Sequence, residues 1–214
     1  MIKLYHCMSA RSFRALWALE ELGLDYELMM LPFPPRMFKK EYLGINPLGT
    51  IPAFFDGDTF MTESSAIAQY LAERYGQGKL NIPVDDPRYG AYLNWLHFGE
   101  ATLTFPQTLV LRYTRLEPEE RRVPQVAEDY KKWFLGRLRG VEASLEKTSP
   151  WILGDTFTTA DISVAYALML AENLNMENEF GPNTLAYWQR VQHRDAFKRA
   201  LESQQEAATA QGIS

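Results

Sequence analysis

Two hydrophobic periods alternate along the first eighty positions of this chain. Ile2 to Tyr5 is a short β-type run, and Phe13, Leu16, Trp17, Leu19 and Leu22 recur at the spacing of one helix face. Gly23 follows that stripe and predicts the helix end, because a left-handed C-terminal position favours glycine. Tyr26 to Leu31 reads as a second strand. Pro32-Phe-Pro-Pro-Arg36 breaks the pattern, and Met37 to Leu43 fits a short irregular helix. Ile51 to Phe55 and Thr59 to Met61, joined by Asp56-Gly57-Asp58, predict a hairpin. Ile67, Tyr70 and Leu71 mark the buried face of a helix ending near Tyr75-Gly76. The order is βαβαββα, the thioredoxin-like pattern, and a proline ahead of the third strand fits it.

Gly76 to Pro83 loses all periodicity and reads as a linker. Beyond Asp86 the pattern is helical only, with Tyr89, Leu93, Leu96 and Phe98 opening one long helix and Val126, Tyr130, Trp133, Leu138 and Val141 marking another. The fold class expected is therefore α/β plus all-α: a thioredoxin-like domain over residues 1–78 and an all-helical domain over 86–205. Thr158-Thr-Ala-Asp161 predicts a capping box, flanked by Phe157 and Ile162 as a hydrophobic staple. The Gln- and Ala-rich tail from Ser203 is expected to fray.

Composition narrows the function. Among 214 residues, 46% are hydrophobic and 23% charged, as in soluble globular proteins. A net charge of −5 argues against non-specific nucleic-acid binding, which needs an excess of Lys and Arg. The single cysteine, Cys7, leaves no internal disulfide and no thiolate metal cluster, so no metal is expected. No apolar run approaches the roughly 18 residues of a membrane span. The start reads directly as a strand rather than a secretion signal, so a cytoplasmic location is expected.

Candidate chemistry concentrates between residues 46 and 65. Asn46-Pro-Leu-Gly-Thr50 is a turn delivering Ile51-Pro52 just ahead of a strand, where a proline leaves neighbouring backbone groups without a ladder partner. Thr62-Glu63-Ser64-Ser65 puts a carboxylate and two hydroxyls at a helix start, whose N–H groups suit a carboxylate. Together they could hold a small peptide with a free amine and a free carboxylate. The pair resembles the glutathione site of glutathione transferases. Trp151-Ile-Leu-Gly-Asp-Thr-Phe followed by the capping box is similar to that family's folding box, and the likeness extends from Lys3-Leu4-Tyr5 through Leu19-Glu-Glu-Leu-Gly-Leu24.

The resemblance implies an enzyme that activates glutathione, its cosubstrate, as a thiolate and conjugates it to small, mostly apolar electrophiles. It implies that Glu63 pairs with the γ-glutamyl amine, that Ser64 and the adjoining Ser65 hold the carboxylate, and that Ile51 binds the cysteinyl backbone after Thr50 and before a cis Pro52. Lys39 or Lys40 would meet the glycine carboxylate, with Phe33 and Pro34 lining the cleft. The sulfur would lie at the turn after the first strand, where helix dipole and donors favour an anion. That turn departs from the family's better-known patterns: their serine falls near Ala10 and their cysteine at Arg11. The donors present are Ser9, Arg11 and Ser12, with Ser9 and Arg11 ranked first, Ser9 and Ser12 also being natural helix caps, and Tyr5 expected to point away. An electrophile pocket is expected at Leu103, Phe105, Pro106, Leu109 and Tyr113, although apolar residues at helical spacing are more often core. His97 and Glu100 are more readily a packed histidine and a surface acid than an acid–base pair. The family also implies a homodimer, with Phe54, Phe60 and Met61 as contacts. Competing readings are a glutathione-dependent thiol reductase using Cys7 and a non-enzymatic binding module on the same scaffold.

Overall fold

Burial alternates along β1 (Ile2–His6): Ile2, Leu4 and His6 are buried, while Lys3 and Tyr5 turn to the opposite face. In the computed structural model, which describes residues 1–213, β1 pairs in parallel with β2 (Tyr26–Met30) and antiparallel with β3 (Ala53–Asp56). The hairpin partner β4 (Thr59–Met61) completes a sheet of order β2-β1-β3-β4. The register sets Leu4 between Leu28 and Phe54, so one apolar layer crosses the sheet.

Helix α1 (Phe13–Leu22) buries nearly all of its first two turns and ends at Gly23, whose φ of 62° is the expected left-handed conformation. It packs against α3 (Ser64–Tyr75). Between β2 and β3 the irregular segment resolves into a one-turn helix α2 (Pro35–Phe38) and a 3-10 turn, Lys40–Gly44. This βαβαββα unit is thioredoxin-like. Phe54 is fully buried against Tyr70, so it serves the core and not an outer contact; Phe60 is exposed.

The described residues divide into two units: 1–81 together with 192–213, and Ile82–Val191. The second unit contains α4 (Tyr89–His97), α5 (Phe105–Leu111), α6 (Pro124–Thr148), α7 (Thr159–Asn173) and all but the last residue of α8 (Pro182–Gln192). Wide π-helical turns, Phe98–Thr104 and Arg112–Leu116, flank α5. The first precedes Pro106, which cannot donate a helical N–H, and the Thr104 hydroxyl donates to the Gly99 carbonyl at 2.7 Å within it. Helix α7 is buried on almost every face. Its capping box forms as expected, with Phe157 and Ile162 both buried.

The last helix overturns the expectation of a frayed tail. Helix α9 (Asp195–Ala210) belongs to the first unit, not to the helical half in which the sequence reading set it. Phe197 packs edge-on to Phe13 and Trp17, Arg194 pairs bidentately with Glu21 at 2.7 Å, and Arg199 reaches Glu20. The Gln211 carboxamide then bonds Leu28 O and Met30 N on the free edge of β2, as a neighbouring strand would. No helix of the described residues is long and apolar enough to cross a membrane.

Candidate functional site

The turn ahead of β3 is built around Asn46. Its side-chain oxygen accepts from Leu48 N–H at 3.1 Å, and its amide donates to Thr50 O at 2.9 Å and Thr50 Oγ1 at 3.2 Å. The Tyr42 hydroxyl also donates to Thr50 O, at 2.7 Å. Thr50 is thus a turn residue, with its carbonyl taken up internally. Gly49 is required twice over: its φ is 60°, and a Cβ there would lie 2.7 Å from Arg36 Cβ. The Ile51–Pro52 bond is cis, as the resemblance implied; Phe33–Pro34 and Ser149–Pro150 are also cis, which the sequence did not signal. Because β3 begins pairing at Ala53, Ile51 stands ahead of the ladder.

Glu63 is the N-cap of α3, extended (φ −90°, ψ 111°), exposed, and making no side-chain cap bond. Ser64 and Ser65 open the helix and are buried. Beneath them lies a residue the sequence reading passed over. Arg14, fully buried in α1, donates from Nη1 to Ser64 Oγ at 3.1 Å. A guanidinium only donates, so Ser64 Oγ accepts here and its own hydrogen is directed elsewhere. Helix start, hydroxyl and buried cation all favour an anion at this point.

The turn after β1 opens on Cys7, fully buried in a cluster with Leu31, Tyr42 and Ala53, against which Ala10 and Ile51 pack. Its Sγ donates to Pro32 O at 3.7 Å, and burial pushes the thiol up to about 12. Ser9, half-buried, holds a φ of 51° inside the tight turn closed by Ala10 N–H on Cys7 O at 3.1 Å. Ser12 precedes α1 but makes no cap bond; its Oγ lies 2.7 Å from His6 Nδ1. His6 Nε2 in turn lies 2.9 Å from Gln204 Oε1 on α9, which also accepts from Ser9 N–H at 2.9 Å. Burial pulls His6 down to about 4, so its ring is neutral near pH 7. Arg11 is half-buried on the turn. Tyr5 lies on the sheet face opposite His6 and packs against the same Cys7 cluster, its ring tilted to Tyr42 and edge-on to Phe55.

The other expected residues are dispersed. Lys39 is exposed at the rim of a cavity of about 370 Å³ that Tyr5, Met29, Tyr42 and Gln211 also line, and Phe33 is exposed. In the second unit Leu103 and Pro106 are buried, Leu109 and Tyr113 half-buried, and Phe105 exposed with its ring edge-on to Tyr130. A cavity of about 340 Å³ there is lined by Leu93, Asn94, His97, Phe98, Ala101 and Thr102, and includes none of those five. No group of three or more His, Cys, Asp or Glu side chains among the described residues is arranged to hold a metal ion.

A thioredoxin-like unit with a cis proline ahead of β3, followed by a mostly helical unit, is the architecture of the glutathione transferase class. Comparison with known proteins agrees. The model of the glutathione S-transferase N-terminal domain matches residues 8–74, and that of the C-terminal domain matches residues 106–204. A glutathione S-transferase of Hyoscyamus muticus is 30% identical over 205 residues, covering 92% of this chain and 96% of its own. A glutathione transferase structure from Methylococcus capsulatus is 28% identical with a TM-score of 0.83, covering 96% of this chain and 100% of that one. The Phanerochaete chrysosporium transferase URE2P6, solved in complex with oxidized glutathione, is 27% identical with a TM-score of 0.83, covering 96% and 97%. The chain belongs to the glutathione S-transferase family and is a transferase enzyme.

Proposed function

We propose that this protein binds glutathione in its first unit, lowers the pKa of the bound thiol, and conjugates the thiolate to small, mostly apolar electrophiles. The observation that carries this reading is the buried Arg14–Ser64 pair beside Glu63 at the opening of α3. A γ-glutamyl end carries an ammonium and a carboxylate on one carbon. Glu63 suits the first; Ser64, the helix start and the cation beneath it suit the second. The Ile51 backbone would take the cysteinyl part as a strand takes its neighbour, and Lys39 the glycine carboxylate. The oxidized glutathione in the URE2P6 complex supports a ligand of the glutathione type here.

A cysteine-like thiol has a pKa of about 8.5, so making it mostly thiolate at pH 7 needs about two units, or roughly 2.7 kcal/mol. One charge-assisted hydrogen bond supplies about 1.5–3 kcal/mol. Ser9 or Arg11 would donate it. The thiol proton leaves to water, sulfur forms its bond to the electrophilic carbon, and the leaving group departs with its electron pair. Cys7, the residue thiol-reductase chemistry would need, is buried and its thiol strongly held as a thiol, which favours conjugation over that alternative.

Glu63→Ala is expected to raise the Kd for glutathione at least tenfold, about 1.4 kcal/mol, by calorimetry. An unchanged Kd in a folded variant removes the carboxylate from the site. A wild type that binds glutathione but turns over no electrophile would instead support a binding module. For the thiol, ultraviolet titration of the enzyme-bound thiolate should show a pKa about one to two units higher in either Ser9→Ala or Arg11→Ala. If neither variant shifts it, backbone N–H groups hold the sulfur and both side chains are out of the chemistry.

A further inference from the structure

Gln204 stands at the centre of a buried hydrogen-bonded chain joining the C-terminal helix to the turn after β1, and atom types fix the direction of each bond. Ser9 N–H is a backbone donor, so the Gln204 atom facing it at 2.9 Å must be the carbonyl oxygen and not the amide nitrogen. The same oxygen lies 2.9 Å from His6 Nε2, which must then carry the ring hydrogen. A neutral imidazole has only one N–H, so Nδ1 is an acceptor, and Ser12 Oγ at 2.7 Å must donate to it. The Ser12 hydrogen is committed to His6 and cannot also serve a sulfur anion. That withdraws Ser12 from the three candidate donors. Gln204 Nε2 also approaches Ser9 Oγ, at 3.5 Å.

Ser9 itself sits where an L-residue is uncomfortable, with φ at 51°. Gln204 is buried, 3% exposed. We propose that Gln204 is a positioning residue for thiol activation: its carboxamide oxygen, shared between Ser9 N–H and His6 Nε2–H, holds the Ser9 backbone in the left-handed conformation that presents this residue to glutathione. The C-terminal helix is thereby part of the machinery that sets the thiol pKa, although it contributes nothing to the γ-glutamyl anchor.

This inference rests on the reading of Ser9 as a residue that faces the thiol, and the test separates the two. Gln204→Met keeps side-chain length and removes both polar atoms. Its kcat for conjugation should fall about tenfold, with the Kd for glutathione within twofold of wild type, because a small misplacement of a reacting group is expensive while the anchor is untouched. The pKa of bound thiolate should rise by about one unit. The decisive comparison is a cycle with Ser9→Ala: if Gln204 acts through Ser9, the double variant should match Ser9→Ala alone. Additive losses in kcat would make Gln204 merely structural and overturn the proposal. Nitrogen-15 spectra of wild-type His6 give a second check that needs no variant to fold: the Nε2–H tautomer is expected at pH 7, and the Nδ1–H tautomer would overturn the chain of donors. A wild type with no conjugating activity but the Nε2–H tautomer would sink the functional reading of Ser9, and this proposal with it; activity together with additive losses sinks the positioning role alone.

Discussion

Replacing Asp161 with alanine should remove about 3–5 kcal/mol of folding stability, a large share of the roughly 5–15 kcal/mol that holds a typical domain together. The carboxylate is fully buried and accepts from Ile152 N–H at 2.9 Å, Thr158 N–H at 2.8 Å, Thr158 Oγ1 at 3.2 Å and the Tyr187 hydroxyl at 3.2 Å. Burial pushes its pKa up to about 6, and these donors keep it ionised at pH 7. Alanine leaves the buried Ile152 and Thr158 N–H groups without this acceptor, at about 1–3 kcal/mol each before relaxation, while the Tyr187 hydroxyl keeps the Asp161 carbonyl at 3.3 Å. The substitution also releases the start of α7, the helix most enclosed in the second unit, from the loop at Ile152. Asp161→Asn retains one acceptor oxygen and should lose less. Urea denaturation at pH 7 checks this. A loss under 1 kcal/mol for alanine would mean that the box is not holding the helix.

The elements legible in the sequence were those decided locally. The α1 stripe, its Gly23 stop, the 56–58 hairpin turn and the Thr158–Asp161 box each draw their geometry from residues a few positions apart, so periodicity and capping chemistry suffice. The Asn46–Ile51 turn and the helix start at Glu63-Ser64-Ser65 were legible for the same reason. Gln204 was not, because its partners lie 195 and 198 positions away and it sits in a Gln- and Ala-rich tail. The buried face of α9 is carried mostly by Ala196, Phe197, Ala200 and Ala208, and alanine barely marks a stripe. Arg14 was passed over, because its partner Ser64 lies 50 positions away and only the packing of α3 against α1 brings the two together. Ser12 looked like a cap because serine before a helix usually is one, and nothing local announces that His6 claims its hydroxyl. For Leu103 and Pro106 the difficulty is more basic. Helical spacing locates a buried face, but core and ligand pocket use the same apolar side chains.

The stability of the first unit should fall on mild acidification because of His6. Both partners of its ring, Ser12 and Gln204, are uncharged, so nothing there compensates a buried imidazolium, and the folded pKa drops from 6.5 to about 4 through burial. The sign follows from linkage. Between these values the unfolded chain binds a proton that the folded chain refuses, so stability is complete above about pH 6.5 and declines as pH falls toward 4. The full span is worth about 3 kcal/mol. Asp161 works in the opposite sense: its raised pKa makes the folded state the better proton binder between 3.8 and about 6, so acidification favours folding there. A whole-chain transition adds the two slopes, and they nearly cancel. His6→Gln exposes the first of them. The stability of wild type minus that of the variant should shrink by about 2 kcal/mol between pH 7.5 and pH 5, measured by denaturant titration at each pH. A difference that stays constant across that range would show that His6 protonates as readily in the folded protein as outside it, which would in turn contradict the neutral ring on which the donor chain from Ser12 to Gln204 depends.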